Sequence, residues 1–255
     1  VTGAYAAQFF ANNASGTTFG TSLTNASTDV YLAKYSTFGQ VQWLAKCSGP
    51  GNDYVLDSAL DSGENFYVVG NYPNSSFSAF NANGTQFANT LPGQSGNNGF
   101  VVKYNRDGAV QWMSNVVGGG TGGQNDYVNG IAVDAADNIY VCGTYGATTL
   151  YVFNANTSVG ATVSRSQGPD DFFIAKYNSS GVVQWATTFG TPASDLTGTI
   201  KISVNRNGVY VSGTYTSNNM TFYNSDGTTA YASLPYTNAY DTFIAAYTLD
   251  GFFKW

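Results

Sequence analysis

The chain has 255 residues, of which only 9% are charged, with 9 Lys+Arg against 15 Asp+Glu and a formal net charge of −6. Nucleic-acid binding requires a basic surface that neutralises phosphates, so this composition argues against a nucleic-acid partner. The chain has no histidine, which excludes histidine-dependent nucleophile pairs and most transition-metal sites. We expect no catalytic residue, no cofactor and no metal. No apolar run approaches the roughly 20 residues of a spanning helix, so no membrane insertion is expected.

The first part of the chain predicts one strand, part of a hairpin, and then two strands joined by a turn. Val1–Tyr5 has the pattern of a strand, and the polar stretch Thr17–Thr28 predicts part of a short hairpin. Asp29–Tyr35 then alternates residues with a period of two, which is typical of a strand. A turn containing Gly39 leads into a second strand over Val41–Ala45.

Two further strands follow. The first covers Tyr54–Leu60 and the second covers Phe66–Tyr72. Between them, Asp61–Asn65 is rich in residues that tolerate positive φ and predicts a hairpin turn. A longer polar stretch separates this fourth strand from the next first strand, and its later counterpart, Met220–Leu234, predicts a short extra hairpin.

The first-strand motif occurs four times and defines a repeat. The four copies are Asp29–Tyr35, Asn98–Tyr104, Asp171–Tyr177 and Asp241–Tyr247. After each tyrosine the chain has a glycine at the fourth residue and a tryptophan at the eighth, namely Gly39, Gly108, Gly181 and Gly251, and Trp43, Trp112, Trp185 and Trp255. The tryptophans are 69, 73 and 70 residues apart (112−43, 185−112, 255−185). Such a period indicates supersecondary units that stack on their neighbours.

We predict an all-β fold, a β-propeller built from four-stranded antiparallel blades, each an up-and-down meander. The units of this single domain are 29–97, 98–170 and 171–240, and a split terminal blade combines 1–28 with 241–255. Because the sequence starts and stops within a repeat, a segment of a longer chain is favoured over a closed four-bladed ring. Both readings stay open.

The repeat resembles a known family. The stretches DFFIAKYNSSGVVQWATTFG (Asp171–Gly190) and DYVNGIAVDAADNIYVCGTY (Asp126–Tyr145) resemble the bacterial-type β-propeller repeats called SBBP repeats. The resemblance covers almost the whole chain. It implies a propeller on large exported or surface-associated proteins, often beside adhesion-type modules, and it implies no catalytic residue. The chain departs from the pattern at Asn205, where other units have Asp, and at Ala246, where they have Lys.

The expected function is a non-enzymatic extracellular or surface module, a structural or adhesion component. It would assemble with other copies or flanking domains, or recognise a glycan or protein. Binding residues are expected on the face that carries the variable loops between second and third strands. The alternative is a carbohydrate-active enzyme that uses carboxylates on this face, such as the pairs Asp57/Asp61, Asp134/Asp137 and Asp170/Asp171. Convergence of acids at one pocket would favour the enzyme, and dispersal in turns would favour the module.

Other recurring residues have structural interpretations. An aspartate just before each third strand is predicted to hold a loop by accepting backbone N–H groups, at Asp53, Asp126 and Asp195. A lysine in the first strand is predicted on an exposed strand face, at Lys34, Lys103 and Lys176.

Cys47 and Cys142 are predicted to be buried free thiols, with one disulfide as the alternative. N-glycosylation sequons suit an extracellular location, and they occur at Asn13, Asn25, Asn74, Asn83, Asn156, Asn178 and Asn219.

Overall fold

The computed structural model describes residues 1–73, 75–119, 124–164, 168–194, 200–216, 219–234 and 240–255. Within these ranges the regular secondary structure is all β, as the sequence predicts. The strands are β1 Thr2–Asn12, β2 Thr18–Tyr35, β3 Val41–Ser48, β4 Tyr54–Leu60, β5 Phe66–Tyr72, β6 Phe77–Phe80, β7 Gln86–Leu91, β8 Asn98–Tyr104, β9 Val110–Gly119, β10 Asp126–Val133, β11 Ile139–Tyr145, β12 Thr149–Phe153, β13 Val159–Ser164, β14 Asp171–Tyr177, β15 Val183–Gly190, β16 Lys201–Asn205, β17 Gly208–Tyr215, β18 Met220–Tyr223, β19 Thr229–Leu234 and β20 Asp241–Tyr247.

In the described part of the chain these strands form four antiparallel sheets. The first sheet has the order β1-β2-β3-β6-β7, and the second β4-β5-β8-β9-β12-β13. The third has the order β10-β11-β14-β15-β18-β19, and the fourth is β16-β17-β20. The predicted extra hairpin at the end of the third unit is confirmed, because β18 pairs with β19.

The sheets are out of phase with the sequence repeat, so the prediction that the four strands of one unit pair as one meander is wrong. Within one unit, β3 pairs with β2 and β6, whereas β4 pairs with β5. The second and third sheets each have six strands. Each combines the third and fourth strands of one unit, the first and second strands of the next, and that next unit's hairpin. The hairpin covers the outer edge of the second strand, which would otherwise present unpaired backbone groups.

Strand boundaries agree well with the period-2 pattern. The predicted third and fourth strands of the first unit coincide with β4 and β5. A β-bulge lies between Val55 and Asp57, next to the Tyr54 carbonyl group. A Cβ built on Gly70 would lie 1.9 Å from that carbonyl oxygen. The glycine in the fourth strand therefore permits a close backbone approach that any side chain would block.

The hydrophobic core lies between neighbouring sheets. One cluster joins the first and second sheets and includes Trp43, Val68 and Phe100. A second cluster around Trp112 joins the second and third sheets. A third, around Phe189, joins the third and fourth sheets. Since each sheet buries its faces against its neighbours, stability resides in the interfaces between sheets, as in other stacked repeats.

Candidate interaction site

The turn between first and second strands has the same geometry in each unit. The turn glycines adopt φ values of +71°, +79°, +76° and +84° at Gly39, Gly108, Gly181 and Gly251. These values lie in the left-handed region that glycine tolerates without a Cβ penalty. A Cβ at Gly108 would also lie 2.9 Å from Cδ2 of Trp43, which belongs to the preceding sheet. The glycine is thus required both for the turn and for the packing of the indole.

A lysine and a tryptophan of one sheet both donate hydrogen bonds to the turn of the next sheet. Lys34 and Trp43 are cross-strand partners in β2 and β3. Trp43 Nε1 donates to the carbonyl oxygen of Arg106 at 3.0 Å, and Lys34 Nζ donates to the same oxygen at 3.1 Å. We call this arrangement, with its turn glycine, the Lys–Trp joint.

The joint is repeated at the two following interfaces. Lys103 Nζ and Trp112 Nε1 donate to the Ser179 carbonyl oxygen at 2.9 and 3.2 Å. The third copy uses the Leu249 carbonyl, which accepts from Lys176 Nζ at 3.0 Å and from Trp185 Nε1 at 3.1 Å. Three interfaces of one chain therefore use the same contact.

The prediction of a lysine on an exposed strand face is wrong for Lys103, whereas Lys34 and Lys176 are partly exposed. Lys103 is buried and its Nζ lies 3.6 Å from Asp61 Oδ2. Its ammonium also lies 5.0 Å from the ring centroid of Tyr67. The lysine stem packs along the interface and the ammonium reaches a carbonyl that the strand pattern alone does not reveal.

Within the described ranges, the fourth tryptophan forms no such joint. Trp255 is 58% exposed, whereas Trp43 and Trp112 are 9% and 6% exposed. The backbone of Trp255 nevertheless pairs with β20, because the Ala246 N–H donates to the Trp255 carbonyl at 2.8 Å. Ala246 occupies the position of the joint lysine. The repeat position is thus shared by all four tryptophans, but only three of them are covered.

The Gly39 turn has the turn glycine but forms no Lys–Trp joint within the described ranges. The turn between β1 and β2 contacts it, since the Ala14 N–H donates to the Gly39 carbonyl at 2.8 Å. A Cβ at Gly39 would contact Ala14, which provides its three nearest atoms, whereas at Gly108 the nearest atoms include those of a tryptophan. Phe38, next to the glycine, is 85% exposed.

The carboxylates predicted for an enzyme are used to hold turns. Asp61 Oδ1 accepts the N–H groups of Gly63 and Asn65, both at 2.9 Å, and its Oδ2 accepts the Tyr67 hydroxyl at 2.9 Å. Burial alone would raise the pKa of Asp61, but hydrogen bonds from Asn65 and Tyr67 and the Lys103 ammonium lower it. Asp134 makes equivalent bonds to Asn138 and Tyr140.

Three further acids of these pairs also accept hydrogen bonds. Asp137 accepts the N–H and the hydroxyl of Ser62 at 2.9 and 2.8 Å. Asp57 Oδ2 accepts the Ile131 N–H at 3.2 Å. Asp170 accepts the Ser194 hydroxyl. No group of three or more His, Cys, Asp or Glu that could hold a metal ion occurs in the described ranges.

The aspartate before the third strand holds a loop, as predicted. The Gly49 N–H donates to Asp53 Oδ2 at 2.6 Å, and the Gly118 N–H donates to Asp126 Oδ2 at 2.5 Å. The third copy, Asp195, lies outside the described residues. Burial raises the pKa of Asp53 to about 8.

Asp53 Oδ1 has no hydrogen-bond partner in the described part of the protein, whereas Asp126 Oδ1 accepts the Gly146 N–H at 3.3 Å. The difference has a local cause. Gly146 follows Tyr145, which pairs with Asp126. By the β4–β5 register, Asp53 faces Tyr72, and the next residue is Pro73, which has no N–H to donate.

Both cysteines are buried and free, which confirms the first of the two alternatives. Burial raises the pKa of the Cys47 thiol to about 12, although its contact with the Tyr104 hydroxyl at 3.2 Å lowers it somewhat. Such thiols are unreactive at neutral pH.

The sequons differ in their surroundings. Asn83 and Asn156 are exposed in hairpin turns, whereas Asn13 accepts the Val41 N–H through its Oδ1 at 2.8 Å. Asn178 accepts the N–H groups of Ser180 and Val182, both at 3.0 Å. Asn219 is exposed with a φ of +66°. Asn74 lies outside the described residues, and for Asn25 only the strand assignment is described.

The larger cavities in the described ranges are open to solvent and have mixed polar and apolar walls. Their volumes are about 560, 430 and 420 Å³. Threonine, asparagine and serine are prominent in their walls, and Asp226 is the one carboxylate among the residues that line these three cavities. The carboxylate pairs named above do not converge on them.

Comparison with known proteins gives one informative relative. The chain is 29% identical over 161 residues to an uncharacterised WD repeat-containing protein of Acanthamoeba polyphaga mimivirus. The match covers 61% of this chain and 11% of that protein, so the chain corresponds to a small part of its relative. No protein-family model matches the chain. The relative and the repeated antiparallel sheets fit a β-propeller repeat protein in general. Among the described residues no helix could cross a membrane.

Proposed function

We propose that this chain is a non-enzymatic β-propeller module with a structural and binding role, whose sheets are the blades of the propeller. The Lys–Trp joint is the observation that carries the proposal. It occurs at three successive interfaces with the same atoms and nearly the same distances. The lysine, tryptophan and glycine that recur in successive units therefore join one sheet to the next.

The distribution of carboxylates supports a module over an enzyme. A glycosidase needs two carboxyl groups about 5–10 Å apart at one pocket. Here Asp61 and Asp134 each hold their own hairpin turn, and Asp57 holds a backbone N–H of the neighbouring strand β10. The larger cavities lack a carboxylate pair.

The finer assignment is an SBBP-type repeat module of an extracellular or surface protein. It is supported by the repeated first strand with its Gly and Trp, of which Asp171–Tyr177 (DFFIAKY) matches the family pattern in full, and by sequons in exposed turns such as those of Asn83 and Asn156. Its partners would be other copies, flanking domains of the same assembly, or a glycan or protein ligand.

An activity screen tests the proposal against the enzyme alternative. The folded chain is assayed for hydrolysis of a panel of aryl glycosides between pH 4 and pH 8. We expect no turnover above that of a heat-denatured sample. Turnover that disappears in Asp57→Asn, while the circular dichroism spectrum stays unchanged, would overturn the proposal in favour of a carbohydrate-active enzyme.

A further inference from the structure

We propose that the loop around Asp53 is a binding site for a hard, oxygen-coordinated cation, for which Ca²⁺ is the probe. The candidate ligands are the carboxylates of Asp53 and Asp29, the Ser75 hydroxyl and the Ser76 carbonyl. Cations of this class take carboxylate and backbone carbonyl oxygens and complete their coordination shell with water. Such a site needs no histidine and no cysteine.

Asp53 is fully buried, and one of its two carboxylate oxygens lacks a partner. Oδ2 accepts the Gly49 N–H at 2.6 Å, whereas Oδ1 has no hydrogen-bond partner in the described part of the protein. A Cβ built on Gly49 would lie 3.5 Å from both Asp53 oxygens and 2.6 Å from the Ser76 carbonyl oxygen. Oxygens of the loop before β4 and of the turn before β6 therefore lie around one point beside Gly49.

Two more buried oxygens in the adjoining segments also lack a hydrogen-bond partner among the described residues. They are Ser75 Oγ and Asp29 Oδ2. Ser75 directly precedes Ser76 in the turn before β6. Asp29 is fully buried, and the carbonyl of Thr28, the residue before it, accepts the Asp53 N–H at 2.7 Å. Buried polar atoms without partners destabilise a fold, and a cation bound among these loops supplies the missing partner.

The two carboxylates also lack a countercharge. None of the ion pairs formed by the described residues includes Asp29 or Asp53. Burial raises the pKa of Asp29 to about 6, and Lys46, which lowers it in part, donates its Nζ–H to the Thr24 carbonyl at 3.4 Å. Buried carboxylates are normally paired or coordinate a metal ion. A cation is therefore the partner that this loop requires when both groups are ionised.

The second unit contains the same loop in a closed form. Asp126 stands at the repeat position of Asp53, and its two oxygens accept the N–H groups of Gly118 and Gly146. The atom nearest to a Cβ built on Gly118 is the Ala147 Cβ, where the first unit has a carbonyl oxygen. In this copy a methyl group and an N–H donor therefore occupy the space that oxygens surround in the first unit.

The second carboxylate is also replaced in that unit. Asn98 stands at the repeat position of Asp29, and its Nδ2 lies 3.3, 3.3 and 3.2 Å from the carbonyl oxygens of Pro73, Gln94 and Gly96. An amide carries no charge and satisfies these carbonyls itself. Compared with the second unit, the first has one additional carboxylate, at Asp29, and one N–H donor fewer, at Pro73.

Cation titration of the full chain tests the inference. The chain is treated with EDTA and dialysed into chelator-free buffer at pH 8.5, above the pKa of about 8 to which burial raises Asp53. Equilibrium dialysis should then show one Ca²⁺ per chain, with a dissociation constant of roughly 10⁻⁴–10⁻³ M, as in extracellular modules. Ca²⁺ at about ten times that constant should raise the thermal midpoint by roughly 3–6 °C.

Variants separate the site from general effects on the fold. Asp53→Asn and Asp29→Asn should each weaken Ca²⁺ binding by about tenfold or more, because the charge of the ligand set sets the affinity. Asp126→Asn is the matched control at the same repeat position and should leave the Ca²⁺ affinity unchanged. Circular dichroism confirms that each variant is folded.

Pro73→Ala tests the geometry while both carboxylates are kept. The new N–H can donate to Asp53 Oδ1, as the Gly146 N–H donates to Asp126. We expect this variant to lose Ca²⁺ binding and to be at least as stable as the cation-free wild type.

Two results would overturn the inference. One is a wild-type chain that binds no Ca²⁺ and keeps its thermal midpoint when Ca²⁺ is added, which would leave protons as the partners of both carboxyl groups. The other is Ca²⁺ binding that persists unchanged in Asp53→Asn. Either result leaves the proposed non-enzymatic function untouched, because that function fails only if glycoside turnover is found.

Discussion

Lys103 and Trp112 face each other across β8 and β9, and both donate to the carbonyl oxygen of Ser179 in the next sheet. The Ser179 carbonyl oxygen therefore contacts side chains from two adjacent strands. Because Lys103 is also close to Asp61, the contact links the turn of one hairpin, the strand pair of the same sheet and the turn of the next sheet.

Replacing Trp112 by Ala should lower the free energy of unfolding by roughly 3–5 kcal/mol, because it removes a large buried side chain and the Nε1–H bond. Trp255→Ala is the matched control at the same repeat position. With 58% of Trp255 exposed, we expect a change below about 1 kcal/mol for the monomer. Urea denaturation at low protein concentration measures both, and equal losses would contradict the assigned difference in burial.

Lys103→Met keeps the apolar stem and removes the ammonium. The Ser179 carbonyl and Asp61 then lose a charged partner in a buried setting, and we expect a loss of roughly 1.5–3 kcal/mol. Lys34→Met is the comparison, since its partner Glu64 is exposed and exposed ion pairs contribute little. Thermal denaturation should rank Lys103→Met below Lys34→Met, and the opposite order would refute the role of the buried lysine.

The stability should fall as the pH rises from about 4 to 8. Burial raises the pKa of Asp53 from 3.8 to about 8, and that of Asp29 to about 6. A carboxyl group with a raised folded pKa binds more protons in the folded state. Its stabilising contribution is therefore complete below the unfolded pKa and is lost as the pH passes through the folded pKa. Urea midpoints at pH 5 and pH 8.5 measure this slope.

Asp53→Asn should flatten that slope, because an asparagine carries no titrating carboxyl group. Its amide oxygen can still accept the Gly49 N–H, and its amide nitrogen takes the place of the Asp53 oxygen that has no hydrogen-bond partner in the described part of the protein. Asp126→Asn is the control. Both of its oxygens accept N–H groups, so an amide nitrogen opposes a donor and should destabilise the fold at every pH. A wild-type slope that survives in Asp53→Asn would assign the pH dependence to other groups.

Secretion through a glycosylating host should modify Asn83 and Asn156 and leave Asn13 unmodified. The first two side chains are exposed in turns, whereas Asn13 donates to the Thr17 hydroxyl and accepts the Val41 N–H. Mass spectrometry of glycopeptides measures the occupancy of each site. Removal of the sequons by Thr85→Ala and Ser158→Ala provides the control. Equal occupancy at Asn13 would mean that its turn opens during synthesis.

The strands were predictable because their periodicity is local. The pattern of Tyr54–Leu60 and of Phe66–Tyr72 identifies β4 and β5 with their full bounds. The pattern says which face of a strand is buried, but not which strand lies at its edge. The pairing of Cys47 with Ala79 joins residues far apart in sequence, and no local signal marks it. For this reason the sequence pattern does not predict the six-stranded sheets.

The hydrogen bond of the joint lysine cannot be predicted from the sequence for a related reason. Its acceptor, such as the Arg106 carbonyl for Lys34, is a backbone atom of the next unit, and a carbonyl leaves no signature in the sequence. A signal did exist. Lys34, Lys103 and Lys176 each precede their tryptophan by nine residues (43−34, 112−103, 185−176), and the copy without lysine, at Ala246, is the one whose tryptophan remains exposed.

The displacement of each hairpin onto the preceding sheet has a mechanical consequence. Between the first and second sheets the backbone crosses three times, from β3 to β4, from β5 to β6 and from β7 to β8. The same count holds between the second and third sheets. A force that separates two neighbouring sheets is thus shared by three covalent connections in parallel. Proteolytic cleavage of one connection leaves the two sheets covalently linked by the other two.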